Sequence, residues 1–115
     1  MKVAIIGSRS CENLPLQTII NNIPFGCSEI VSGGACGIDK LAELAAARLD
    51  LQIKIFIPDY AKYSKSAPLI RNLEIIDYSD YVLAFWDFKS NGTKFIINNC
   101  INKSKKVKII DIRKS

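Results

Sequence analysis

The stretch Val31-Ser32-Gly33-Gly34-Ala35-Cys36-Gly37-Ile38-Asp39-Lys40-Leu41-Ala42-Glu43 decides the fold class of this chain. Its glycines separate a short apolar run, Ile30-Val31, from a run of helical spacing in which Ile38, Leu41, Ala42, Ala45 and Leu49 share one face. The pattern is strand, glycine-rich turn, helix. Such a turn leaves the first backbone N–H groups of the helix unbonded above the strand end, where an anion gains hydrogen bonds and the helix dipole. Glycine permits positive φ there and has no Cβ to hold a phosphate away. The spacing is neither G-x-G-x-x-G nor G-x-x-x-x-G-K-[ST], so no dehydrogenase or P-loop NTPase follows. The alternative is a tight turn whose glycines serve packing alone. Asp39, in the first helical turn, would repel a phosphate that it faced; its expected role is to turn back onto loop N–H groups or an arginine.

Outward from this unit, strands and helices alternate. Val3–Ile6, closed by Gly7, is a continuous apolar run of the kind buried on both faces of a parallel sheet. A helix follows from Leu14 to Ile23, with Asn13 or Ser10 as N-cap and Pro15 in its first turn. Glu29–Val31 is the second strand and Gln52–Ile57 the third, stopped by Pro58; Asp59–Lys65 reads as a polar loop. A serine cap, Ser66, with Pro68 in the first turn opens a helix to about Asp77. Tyr81–Trp86 is the fourth strand, Asp87–Thr93 a turn, then a helix through Phe95, Ile96, Asn99 and Cys100, and Lys106–Ile112 the last strand. The expectation is one α/β domain over residues 1–115, a three-layer Rossmann-like fold with about five parallel strands in the order 3-2-1-4-5.

In such sheets ligands bind beyond the carboxyl ends of the strands, where the strand order reverses. That point gathers Gly7–Ser10, Ser32–Gly37 and Asp87–Thr93. Arg9 offers a planar donor fork suited to phosphate, or makes a surface ion pair. Ser90, Asn91, Gly92 and Thr93 offer hydroxyls and a second helix N-terminus; Ser90 or Thr93 also serves as a plain N-cap. Arg71 and Asn72 reach the cleft only if their helix is short and steeply packed. Tyr60, Tyr63 and Trp86 either stack on a base or belong to core and rim.

Composition narrows the classes. Hydrophobic residues make up 49% and charged residues 23%, ordinary for a globular protein, and no apolar run approaches a membrane span. Met1-Lys2 before Val3–Ile6 is too short for a secretory signal, and a cytoplasmic protein is expected. The four cysteines form no C-x-x-C and histidine is absent, which argues against structural zinc, any metal site and histidine-based chemistry. Cys36, at the start of a helix, is expected to be the most reactive thiol. Net charge is +5, with the positive excess in residues 61–115: eleven Lys/Arg against five Asp/Glu. Lysines solvating a helix end and strand edge explain it, or a nucleic-acid patch.

Four blocks together resemble the small SLOG-superfamily proteins of the YspA type: Gly7-Ser8-Arg9-Ser10; Ser32-Gly33-Gly34-Ala35-Cys36-Gly37-Ile38-Asp39; Pro58-Asp59-Tyr60 with Pro68-Leu69-Ile70-Arg71-Asn72; and Ala84-Phe85-Trp86-Asp87 with Ser90-Asn91-Gly92-Thr93. The resemblance implies a Rossmann-like sheet that binds a nucleotide or nucleotide-derived small molecule, as a sensor or carrier. The superfamily includes the LOG phosphoribohydrolases and the DNA-processing protein that handles single strands. The ligand-binding set so implied is Gly7, Ser8, Arg9, Ser32, Gly33, Gly34, Gly37, Asp39, Arg71, Asn72, Asp87, Ser90, Gly92 and Thr93. No further cofactor is implied; self-association into a dimer or larger oligomer is a further expectation. Two departures stand out. Cys36 occupies a place where many relatives carry a basic residue, and Ile96 follows Gly92-Thr93-Lys94-Phe95 where LOG enzymes carry the glutamate of G-T-x-x-E. Binding is therefore favoured over hydrolysis of a nucleotide, for which Asp87 or Asp39 would have to act as acid or base, and over single-stranded DNA binding by the basic half.

Overall fold

Val3, Ala4, Ile5 and Ile6 are all buried at the centre of strand β1 (Lys2–Gly7), and their side chains divide between two cores. The computed structural model describes residues 1–9, 14–35 and 37–113. Val3 and Ile5 point to one face of the sheet with Ile30, Leu83 and Phe85; Ala4 and Ile6 point to the other with Val31, Val82 and Ala84. This period-two division is what a strand covered on both faces requires.

Five parallel strands stand in the order β3-β2-β1-β4-β5, with β2 (Glu29–Ser32), β3 (Gln52–Ile55), β4 (Tyr81–Trp86) and β5 (Val107–Asp111) joining β1. The expected order and fold class are those found. Helices α1 (Leu16–Asn22) and α2 (Ile38–Arg48) cover the first face through Ile19, Ile38, Ala42 and Ala45. On the opposite face α4 (Ala67–Tyr78) and α5 (Asn91–Asn102) contribute Ile75, Ile76, Ile96, Ile97 and Cys100. Among the described residues no helix is long and apolar enough to cross a membrane.

Local departures have local causes. Helix α1 begins at Leu16, because Pro15 is extended (φ −68°, ψ 142°) and stands at the cap position, outside the first turn. The cap candidates Ser10 and Asn13, and Cys36 with its expected reactivity, lie outside the described residues. The segment read as a polar loop after Pro58 is helical instead: α3 (Tyr60–Tyr63) is capped by Asp59, whose carboxylate accepts from Lys62 N at 3.1 Å. A 3₁₀ turn, Ser64–Ser66, then runs straight into α4, and the Ser66 hydroxyl makes no cap.

The lysines after α5 are tied to the amino end of the sheet. Lys103 pairs with Asp77 at 2.9 Å, Lys105 donates to the Ser79 carbonyl, and Lys106 lies over the Tyr81 ring. The cleft described below opens at the opposite, carboxyl end.

Gly7 joins fold to site. A Cβ there would collide with the Phe85 carbonyl and lie 2.8 Å from Ile38 Cγ1. Gly7→Ala is expected to cost about 1–3 kcal/mol in urea unfolding, the usual range for an overpacked core. A loss below about 0.5 kcal/mol would mean that β1 and β4 can separate at the switch point without penalty.

Candidate functional site

β1 lies between β2 and β4, so the chain leaves its carboxyl end at the point where strand order reverses. A cavity of about 460 Å³ opens there. Gly7, Ser8, Arg9, Gly33, Asp39, Arg71, Asn72, Asp87, Ser90, Gly92 and Thr93 line it, eleven residues of the expected binding set. Ser32, Gly34 and Gly37 do not; they build the turn from behind. Ser32 is fully buried, its hydroxyl accepting from Gly34 N (3.3 Å) and donating to Asp39 O (3.4 Å). Gly34 and Gly37 hold positive φ, 72° and 78°, and at Gly37 a Cβ would come within 2.6 Å of Arg9 O. These glycines serve chain geometry.

The start of α2 is not an open anion site. Ile38 N donates to Ser8 O at 3.4 Å, and the exit of β1 lies across Gly37. Asp39 occupies the first turn and turns back, its Oδ2 accepting from Ala35 N at 3.1 Å. The carboxylate offsets the helix dipole from within the fold.

Arg71 supplies the charge that faces Asp39. Although α4 is a long helix, its first turns overhang the strand ends, so Arg71 Nη1 reaches Gly33 O at 2.6 Å while Nε donates to Asn72 Oδ1 at 2.8 Å. Both side chains are more than nine-tenths buried. Burial lowers the Arg71 pKa and raises that of Asp39; the Ala35 N–H and the Arg71 charge pull Asp39 back down.

The opposite wall is the turn between β4 and α5. Asp87 N donates to the buried Ser8 hydroxyl (3.1 Å), while Asp87 Oδ1 accepts from Lys89 N and Ser90 N, each at 2.8 Å. The Lys89 N–H holds the Asp87 carboxyl below its usual range, helped by the Ser90 N–H and the Ser8 hydroxyl, so it is ionised at neutral pH. Phe88 takes a left-handed conformation (φ 64°), which lets the turn wrap around that carboxylate. Ser90 caps α5: its hydroxyl accepts from Thr93 N at 3.4 Å.

Trp86 is not a platform for a base. Its ring stacks on Phe88 with centroids 4.4 Å apart, its Nε1 donates to Ser90 O at 3.0 Å, and the Arg113 guanidinium lies 4.2 Å from the Phe88 centroid. The indole braces the turn. Tyr60 and Tyr63 lie outside the cavity lining.

Residue spacing alone did not place Lys89 or the apolar wall of Ile6, Pro68, Leu69, Ile75 and Ile96 in the cleft. Lys89 falls inside the quoted Asp87–Thr93 turn, and Pro68-Leu69 belongs to one of the four blocks, so the signals were present. What was missing was the overhang of α4.

No protein-family model and no curated protein matches the chain. Among solved structures it is similar to the X-ray structure of DNA processing protein A (DprA) from Streptococcus pneumoniae, with a TM-score of 0.70 and 21% identity. That match covers 94% of this chain and 49% of the other, so the chain spans about half of that protein's length. The likeness is one of fold, a Rossmann-like parallel sheet with helices on both faces.

Removing the Arg71 side chain strips Gly33 O of its donor and Asp39 of its facing charge. Asp39, already above its ordinary value, then titrates higher still. The native state thus binds more protons than the unfolded chain, and stability falls as pH rises through the folded pKa. Arg71→Ala is expected to cost about 2 kcal/mol in urea unfolding, less near pH 4.5 and more near pH 8, starting from the unfolded carboxyl value of about 3.9. Adding Asp39→Asn should remove that pH dependence; an unaltered dependence would mean that the two charges do not interact.

Proposed function

We propose that the cleft binds a nucleotide or nucleotide-derived small molecule, as a sensor or carrier of the YspA-like type. One observation carries this reading. Gly92, in the first turn of α5, is a cavity-lining glycine that the fold does not need: an added Cβ would meet nothing within 4 Å, and its φ is not positive. Glycine in a helix costs about 0.5–1 kcal/mol relative to alanine, and here no packing contact offsets it. A phosphate drawn close to the α5 start would account for it, received by the N–H groups of Asn91 and Gly92, with Arg9 and Lys89 lining the same cavity. A cavity of this volume suits a small ligand.

Catalysis is not favoured. Ile96 stands in the apolar wall where a LOG-type enzyme carries its carboxylate, and Asp87 is ionised, with one oxygen filled by backbone N–H groups. No release of free base is expected on incubation with AMP or N6-substituted AMP. Turnover at an ordinary enzymatic rate, abolished by Asp87→Asn, would overturn this. The similar DprA structure raises a DNA-binding reading, but Lys103, Lys105 and Lys106 sit at the amino end of the sheet, away from the cleft.

A thermal-shift panel of mono-, di- and cyclic nucleotides with ADP-ribose tests the reading. A true ligand at about 100 times its Kd adds about 2.7 kcal/mol, a rise on the order of 10 °C for a domain of this size. Arg9→Ala should weaken that ligand by about 1.5–3 kcal/mol. Gly92→Ala should raise the Tm of the free protein, by about 0.4–1 kcal/mol in stability, yet shrink the ligand-induced shift. A flat panel, or a Gly92→Ala variant that binds as well as the native protein, would overturn the reading.

A further inference from the structure

Among the described residues both edges of the sheet, β3 and β5, lack a neighbouring strand, and the two edges are built differently. Along β5 and the residues flanking it stand Lys106, Lys108, Asp111 and Arg113, charges of the kind that keep an edge from pairing. β3 has no such protection. From Gln52 to Ile57 the chain carries one charge, Lys54, and no proline, and all four residues of the strand are exposed. Its open backbone groups fall in one row. Phe56 N donates to Ser32 O in β2, so by the alternation of a strand Lys54 and Phe56 direct their backbone groups inward. Ile53, Ile55 and Ile57 direct theirs to the open side. Ile57 precedes Pro58, which holds it extended. The side chains of Ile53 and Ile55 stand on the face of their register partners Ile30 and Ser32, more than one-third exposed, and Ile57 is 75% exposed. The edge is thus a β-branched apolar row beside a row of unpaired N–H and C=O groups.

Register decides the occupant. A twofold axis normal to the sheet sets two β3 strands antiparallel and keeps every side chain on its own face. A register centred on Lys54 would set Lys54 against Lys54, like charges at the close spacing of a non-hydrogen-bonded pair. One centred on Ile53 needs Leu51, whose N–H is already bonded to Ala46 O at 2.9 Å. One centred on Phe56 carries Ile53 past Pro58 to the Asp59 of the second copy. The register centred on Ile55 meets none of these obstacles. Ile55 faces Ile55, Ile53 faces Ile57, and Lys54 faces Phe56, the ring that its ammonium already approaches at 5.4 Å in its own chain. Every outward N–H and C=O of the three isoleucines finds a partner. Pro58, which has no N–H, falls opposite Gln52 in a pair that exchanges no bonds.

We propose that two copies of this chain join through their β3 strands, antiparallel about a twofold axis at Ile55, into one continuous sheet. The single charge of the edge acts as a register selector, since Lys54 is repelled in one alignment and seated on Phe56 in another. The joint also backs the cleft: a Cβ on Gly34 would come within 2.9 Å of Ile55 Cγ2, so the paired strand supports the glycine-rich turn from behind. The proposal does not depend on what the cleft binds.

Sedimentation velocity of the full chain over about 1–500 µM is expected to show a monomer–dimer equilibrium, with the dimer dominant at the upper end. Ile55→Lys sets two ammonium groups face to face on the axis, and Ile57→Lys adds a charge where the side chain is largely free of the fold. Each should weaken association at least about tenfold. An unchanged circular dichroism spectrum of Ile57→Lys separates loss of pairing from loss of folding. Cysteine pairs read the register. Facing residues of a hydrogen-bonded pair stand about 5.5 Å apart at Cα, within disulfide reach, whereas diagonal ones at about 7–8 Å are not. Ile55→Cys should therefore oxidise to a dimer linked between the two cysteines at 55, identified by peptide mass, and Lys54→Cys should give no such link at 54. A native chain that stays monomeric throughout overturns the proposal, even if a peptide or another protein pairs with the edge. A dimer that withstands both lysine variants uses another surface and overturns it equally, as does cross-linking at 54 in place of 55.

Discussion

A single guanidinium holds the two helical layers together across the open end of the sheet. Arg71 comes from α4 on one face; the carbonyl that it binds, Gly33, belongs to the turn leading into α2 on the other. At 2.6 Å, and buried, this charge-assisted bond sets the floor of the cleft. Asp39 faces the same guanidinium and anchors the turn through Ala35 N. Glycine at position 33 belongs to the same arrangement, since a Cβ there would lie 2.9 Å from Arg71 Nη1. The glycine-rich turn is thus shaped by an internal cation.

The consequence is a transfer of roles between two helix termini. The start of α2 is covered by the exit of β1 and served by Asp39, whereas the start of α5 faces open space at Gly92. Lys89 and Ser90 form the turn that leads into that second terminus, and Arg9 lines the same cavity. The Trp86–Phe88–Arg113 stack keeps the turn before α5 in place, and Asp87 closes it from within. The site is built from a braced turn on one side and the buried Arg71 guanidinium, bound to Gly33 O, on the other, with an apolar wall between them.

The sheet was legible because burial on both faces writes itself into composition: Val3–Ile6 and Tyr81–Trp86 have no polar alternation, and helical runs separate them. Strand order followed from the doubly wound pattern, with the switch point between strands 1 and 4, and from no particular residue. The cleft was legible in outline, because the turns at the ends of β1, β2 and β4 must meet at the switch point. Three features were not. The covering of the α2 start depends on a contact between Ser8 and Ile38, and the placement of Arg71 on one with Gly33, thirty-eight residues away; neither leaves a trace in local spacing. The helical turn at Tyr60–Tyr63 hung on one capping carboxylate, Asp59, in a segment whose composition is that of a loop.

The central claim is that the ligand lies at the α5 start and along the Asp87 turn. It is tested most directly by amide chemical-shift mapping of the ¹⁵N-labelled protein with the nucleotide that stabilises it most. The largest shifts are expected at Gly33, Ala35, Lys89, Ser90, Gly92 and Thr93, with Lys103–Lys108 undisturbed. Shifts concentrated on Lys103–Lys108, with the amides of Ser90–Thr93 unmoved, would contradict it.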